Sequence, residues 1–103
     1  MAKKFDNRTV IEKYFSGYDS IESHTGNLLV SNDGKRLMNY STCLVERSLE
    51  HGYIYNATKY SVTTSKIQTY IKGYLNYREH VTVSGVQLST SYLNDLVQPM
   101  EVK

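Results

Sequence analysis

Three histidines, His24, His51 and His80, and one cysteine, Cys43, are the side chains of this 103-residue chain best suited to hold a metal ion or attack an electrophile. A thiolate nucleophile needs an imidazole within hydrogen-bond reach, and a structural zinc site needs paired ligands at short spacing. None of the three histidines has a second His, Cys or carboxylate at an H-x-x-x-H or C-x-x-C interval. Cys43 lies among apolar residues of strand character, which reads as a reduced core thiol. Asn32-Asp33-Gly34 begins like a calcium loop, but Lys35-Arg36 then puts positive charge where ligand oxygens are required. Phosphate-loop and G-x-S-x-G patterns are missing as well. The residues therefore lead us to expect no enzyme, no metal and no cofactor.

Tyrosine is the other chemistry-bearing type, with ten copies and no tryptophan. It is favoured at protein interfaces and on platforms that stack single-stranded bases, and also in cores whose rim its hydroxyl can reach. Tyr14, Tyr70 and Tyr74 fall on apolar helical faces and are expected in the core. Tyr53, Tyr55, Tyr60 and Tyr77 fall near loops, strand ends or a helix rim. With Lys59, Lys66 and Arg78 they form the candidate partner-binding set. Lys35, Arg36 and Lys72 extend the same basic rim, although scattered charges are more often a solvated surface. A net charge of +2 is too small for a duplex-DNA footprint and has the wrong sign for an acidic DNA mimic.

These side chains need elements to carry them. Asp6 or Asn7 is placed to cap a first helix whose apolar residues are Val10, Ile11, Tyr14, Phe15 and Tyr18, with Gly17 at its end. Leu28 to Val30, the Asp33-Gly34 turn and the run after it read as a hairpin. From Leu37 to Arg47 the pattern is that of one long, central strand, and Gly52 turns the chain into Tyr53-Ile54-Tyr55. Extended structure is expected to continue through Tyr60 and Val62. Ser65 and Gln68 then form a capping box for a second helix carrying Ile67, Tyr70, Ile71, Tyr74 and Leu75. Val81 to Leu88 is a bent strand, or a hairpin turning at Gly85. A short third helix from Ser89, Thr90 or Ser91 carries Tyr92, Leu93, Leu96 and Val97 and is stopped by Pro99.

The fold class expected from this order is α+β: a small antiparallel sheet, a meander of about three to five strands, packed with two or three helices in one domain, residues 1–103. A 40% hydrophobic content and a mean hydropathy of −0.48 suit a soluble domain. With no apolar leader or spanning segment, a cytoplasmic location and no membrane partner are expected. On that expectation the glycosylation patterns at Asn7, Asn39 and Asn56 carry no weight.

Ser31-Asn32-Asp33-Gly34-Lys35-Arg36-Leu37, Tyr40-Ser41-Thr42, Val45-Glu46-Arg47, Asn56 and Tyr60-Ser61-Val62-Thr63-Thr64-Ser65 together resemble a family of short phage and prophage proteins. The family pattern is a D-G turn, a Tyr/Thr strand ending in E-R, and a Y-S-x-T-T-S entry to a helix. Met38-Asn39 and Leu44 depart from it conservatively, and residues 1–27 and 78–103 are not covered. The family brings no catalytic residues. What the resemblance implies is a non-enzymatic binding protein in the bacterial host's cytoplasm. The leading expectation is an inhibitor of host defence, anti-CRISPR-like, that binds a Cas effector and blocks its DNA loading or activation. The alternatives are a single-stranded nucleic-acid-binding accessory protein and a phage structural or assembly protein.

Overall fold

The computed structural model describes residues 4–97. Seven short strands lie in one sheet in the order in which they occur in the chain. They are β1 (Lys4–Phe5), β2 (Glu22–Ser23), β3 (Leu28–Val30), β4 (Arg36–Asn39), β5 (Thr42–Ser48), β6 (Gly52–Asn56) and β7 (His80–Val83). Helix α1 (Asn7–Phe15) joins β1 to β2, and α2 (Val62–Leu75) joins β6 to β7. The α+β class is as expected, but the sheet is larger than three to five strands and mixed. The pairs β2 to β6 are antiparallel, whereas β1–β2 and β6–β7 are parallel. A parallel pair needs a long crossover, and each helix supplies one. A period-2 pattern carries no information on the direction of its partner, so the antiparallel expectation fails at both edges.

Asp6 caps α1 by accepting from the Thr9 N–H at 2.8 Å. Val10, Ile11, Tyr14 and Phe15 are buried, while Tyr18 lies past the helix end and is exposed. The Asp33-Gly34 turn joins β3 to β4, with Gly34 at φ +71° and the Asp33 carboxylate accepting from Ser31 Oγ and the Lys35 N–H. Those bonds hold the Asp33 carboxyl below the usual carboxylate range.

Leu37 to Arg47 is not one strand. Asn39 pairs directly with Thr42, so Tyr40 and Ser41 form a two-residue hairpin turn, with Tyr40 at φ +55°. The Asn27 carbonyl fastens this turn by accepting from Asn39 Nδ2 at 2.8 Å and from the Tyr40 N–H at 3.1 Å. A tyrosine at positive φ is uncommon, and the turn lacks the Gly or Asp that marks most tight hairpins. After the turn the register shifts between Leu37 and Met38, so Leu44 is an extra residue opposite β4. The bulge sends both Leu44 and Val45 to the helix side and Cys43 to the other.

Extended structure also stops earlier than the sequence suggests. Asn56 ends β6 because its side chain is fully engaged: Nδ2 donates to the Cys43 carbonyl and Tyr60 Oη, and Oδ1 accepts from the Thr58 N–H. Helix α2 then begins at Val62 under a Ser61 cap, whose Oγ accepts from the Thr64 N–H at 3.1 Å. The Ser65–Gln68 capping box is absent. Gln68 lies inside the helix and donates Nε2 to the carbonyls of Asn56 and Thr58, at 2.8 and 2.9 Å.

Both helices cover one face of the sheet. Ile11, Tyr14, Phe15, Leu28, Val30, Leu37, Val45, Tyr55, Ile67, Ile71 and Leu75 fill the space between. Each large side chain of this kind contributes about 1.5–3 kcal/mol by leaving water. Residues 84–97 cover the opposite face. Val86 and Leu93 pack there on Cys43, Ile54 and Val83. Glu46 Oε1 accepts from the Leu93 N–H at 2.6 Å, fastening the segment to β5. Val83 ends β7, and Gly85 at φ +70° turns the chain away. The expected third helix is a single turn of 3-10 helix, Asn94–Leu96, without a side-chain cap. The Pro99 stop lies outside the described residues.

Candidate functional site

The C-terminal ends of both helices meet the β5–β6 hairpin at one end of the sheet, where four aromatic rings and two arginines gather. Phe15 stacks on Tyr74, with ring centroids 5.1 Å apart and planes 9° from parallel. Tyr53 packs against Phe15 at 5.1 Å and edge-on to Tyr14 at 6.1 Å. The Arg47 guanidinium lies 5.9 Å from the rings of both Tyr14 and Tyr53. The Arg78 guanidinium lies 5.1 Å from Phe15 and 5.8 Å from Tyr74.

Register explains the gathering. Arg47 and Tyr53 are paired across β5 and β6, which sets their side chains on one face. Tyr14 and Phe15 end α1, and Tyr14 Oη donates to the Lys35 carbonyl at 2.7 Å. The same carbonyl accepts from the Arg47 N–H at 2.7 Å, so Lys35 and Arg47 lie side by side. Arg78 follows the end of α2 and donates to the Tyr74 carbonyl at 2.8 Å, where a cation also complements the helix dipole. Burial pushes the Tyr14 phenol well above its ordinary value, so its hydroxyl is a fixed donor.

Neither Arg47 nor Arg78 has a carboxylate within ion-pair distance among the described residues, where the salt bridges are Arg36 with Asp33 and with Glu46. Both arginines are half-buried, and Arg78 gives one guanidinium nitrogen to the Tyr74 carbonyl. Leu49, in the β5–β6 turn, is fully exposed, and Tyr77, beside Arg78, is 90% exposed. This end of the molecule thus combines rigid aromatics, unpaired arginines and uncovered apolar side chains.

The candidate set from the sequence divides. Tyr53, Tyr77 and Arg78 come together here. Tyr55 does not join them: at 5% exposure it is a core residue beneath α2. Tyr60 is half-buried at the opposite end, its hydroxyl donating to the Val86 carbonyl at 2.6 Å, and Lys59 and Lys66 are exposed near it. Tyr70, expected in the core, is exposed and lies under the Arg8 guanidinium at 5.1 Å. Sequence reasoning missed Arg47 and Phe15. Arg47 stands at the end of the expected strand, and its alternation with Val45 is the signal that places it on the helix face.

All four arginines of the chain lie on aromatic rings, Arg8 on Tyr70, Arg36 on Tyr92 at 4.2 Å, and Arg47 and Arg78 as above. A chain of this length would ordinarily have about one or two significant pairs of this kind. The tyrosine-rich composition is in part a set of seats for guanidiniums.

The nucleophile and metal readings fare differently. Cys43 is fully buried, donates to the Val45 carbonyl, and has its thiol pushed up to about 12 by burial, opposite to the shift that activates a thiolate. Among the described residues no three His, Cys, Asp or Glu side chains gather as a metal site, and no helix is long and apolar enough to cross a membrane. Comparison with protein-family models, curated proteins and solved structures gives no match for the chain.

Proposed function

We propose that this chain is a non-enzymatic binding protein that docks a protein partner through the Arg47–Arg78 end of its sheet. The observation that carries this reading is the pair of guanidiniums, held on aromatic rings without carboxylate partners among the described residues and flanked by exposed Leu49 and Tyr77. Tyrosine and arginine on a pre-ordered surface are the residues that dominate interface hot spots. Seating each guanidinium on a ring beforehand lowers the ordering cost of using it. The partner surface that suits this end carries carboxylates matched to Lys35, Arg47 and Arg78 around an apolar contact for Tyr77.

In its specific form, drawn from the resemblance to phage proteins, the partner is a host-defence nuclease of the Cas type, and docking blocks DNA loading or an activating movement. The rings of Tyr14, Phe15, Tyr53 and Tyr74 are engaged with one another and with guanidiniums and Tyr77 is left open, which supports a protein partner over a run of stacked bases. Titrating the purified chain into DNA-cleavage reactions of guide-loaded Cas effectors tests this. Inhibition by a stoichiometric complex is expected; unchanged cleavage and no complex with any effector would remove it. Tight binding of single-stranded DNA or RNA that weakens steeply with salt would favour the nucleic-acid reading instead.

A further inference from the structure

Strand β7 is the last in the sheet, and its outer edge has no partner strand among the described residues. The Tyr53 N–H donates to the Glu79 carbonyl at 3.1 Å and the Ala57 N–H to the Val83 carbonyl at 2.8 Å. In a parallel ladder only alternate residues face the neighbouring strand. Glu79, Val81 and Val83 therefore turn their main-chain groups inward, and His80 and Thr82 turn an N–H and a C=O each outward.

Two grooves flank this edge. On the α2 side a cleft of about 160 Å³ is lined by Tyr55, Ala57, Lys72, Asn76, His80 and Thr82 among others, with no carboxylate. On the other side a groove of about 340 Å³ runs along Val81, Thr82, Val83, Ser84, Leu96 and Val97. Most exposed edges are blunted by lysine, proline or a bulge; His80-Val81-Thr82-Val83 has none of these.

We infer that β7 is a docking edge for an extended segment of a partner protein in which acidic and apolar residues alternate. Such a segment adds as an eighth strand, bonding to the main chain of His80 and Thr82. Its alternate side chains point to opposite faces, so its carboxylates meet Lys72 and His80 while its apolar residues enter the groove of Val81, Val83, Leu96 and Val97. Lys72 in the α2-side cleft, and Val81, Leu96 and Val97 among the residues of the other groove, favour this pattern over a basic or uniformly polar strand. The inference stands on main-chain direction and groove lining, independently of the arginine end.

A six-residue peptide alternating valine and glutamate is the probe, titrated into isotope-labelled full chain and followed by amide shifts and hydrogen exchange. Shifts and protection centred on the His80 and Thr82 amides are expected. Thr82→Pro removes the outward N–H together with the Thr82 side chain, leaves the inward ladder bonds of Val81 and Val83 in place, and should weaken the peptide at least ~10-fold. Lys72→Glu should weaken it by up to ~5-fold and turn preference toward a valine–lysine peptide. If Thr82→Pro does not fold, the same peptide with alternate backbone amides N-methylated tests the unaltered chain and should not bind. Equal binding of the methylated peptide, equal binding of the valine–lysine peptide by the parent chain, or no shift at His80 and Thr82 overturns the inference. So does self-pairing of two copies through these amides that excludes the peptide.

Discussion

Individual side chains in this protein are set by what covers them more than by what they are. Cys43 and Tyr14 are both buried, and burial raises both above their ordinary values of 9.0 and 10.0. The sign for stability follows from proton binding. Above pH ~9 the unfolded chain releases the Cys43 proton that the folded chain keeps, so the unfolded state gains and stability falls toward pH ~12. The slope is at most about 1.4 kcal/mol per pH unit for each group. Cys43→Ala destabilises at neutral pH through a small cavity, and its deficit relative to the parent should shrink as pH rises from about 8 to 10. Thermal melts at matched ionic strength would show this; a constant deficit would contradict it. The burial of Cys43 was legible in its apolar neighbours. Tyr55 was misplaced because strand alternation names two faces without saying which one the helices cover.

Elements reveal where local signals were read correctly and where longer contacts prevailed. Ser65-x-x-Gln68 satisfies the capping-box pattern, but Asn56 and Thr58 leave two carbonyls that Gln68 answers, so the helix starts a turn earlier at Ser61. Ser61→Ala should cost about 1 kcal/mol, whereas Ser65→Ala should leave stability unchanged or higher; equal losses in denaturant titrations would restore the capping box. Glycines make a second contrast. A Cβ at Gly52 would stand 2.3 Å from the Glu79 carbonyl oxygen, at φ +79°, whereas at Gly73 inside α2 it meets nothing within 4 Å. Gly52→Ala is expected to lose about 2 kcal/mol or more by prising β6 from the start of β7, and Gly73→Ala to gain about 0.5–1 kcal/mol. The hairpin at Asp33-Gly34 and helix α1 were readable because cap and turn residues act within a few positions. The Tyr40-Ser41 reversal was not, since the carbonyl of Asn27 that fastens it is twelve or more residues away.

At the scale of the whole molecule, two helices pack on one sheet face and residues 84–97 pack on the β4–β7 part of the other, which turns attention to the ends and edges of the sheet for recognition. The end at Arg47, Arg78, Tyr53 and Tyr77 joins residues from α1, β5, β6 and the stretch after α2, so no contiguous motif announces it. Arg78, Tyr53 and Tyr77 were found from composition and position, and their assembly required the β5–β6 register. Because each guanidinium–ring pair stabilises by only about 0.5–1 kcal/mol, replacing both arginines should lower the unfolding free energy modestly and leave the fold intact. Loss of two hot-spot arginines from an interface is far larger, about 2 kcal/mol or more each. The most direct measurement is therefore a side-by-side titration of the parent and the Arg47→Ala/Arg78→Ala double variant against guide-loaded Cas effectors, with melting curves on both proteins. Docking through this end predicts inhibition by the parent, a folded double variant, and at least ~100-fold weaker inhibition by that variant. Equal inhibition by parent and variant, or no inhibition by the parent, would contradict it.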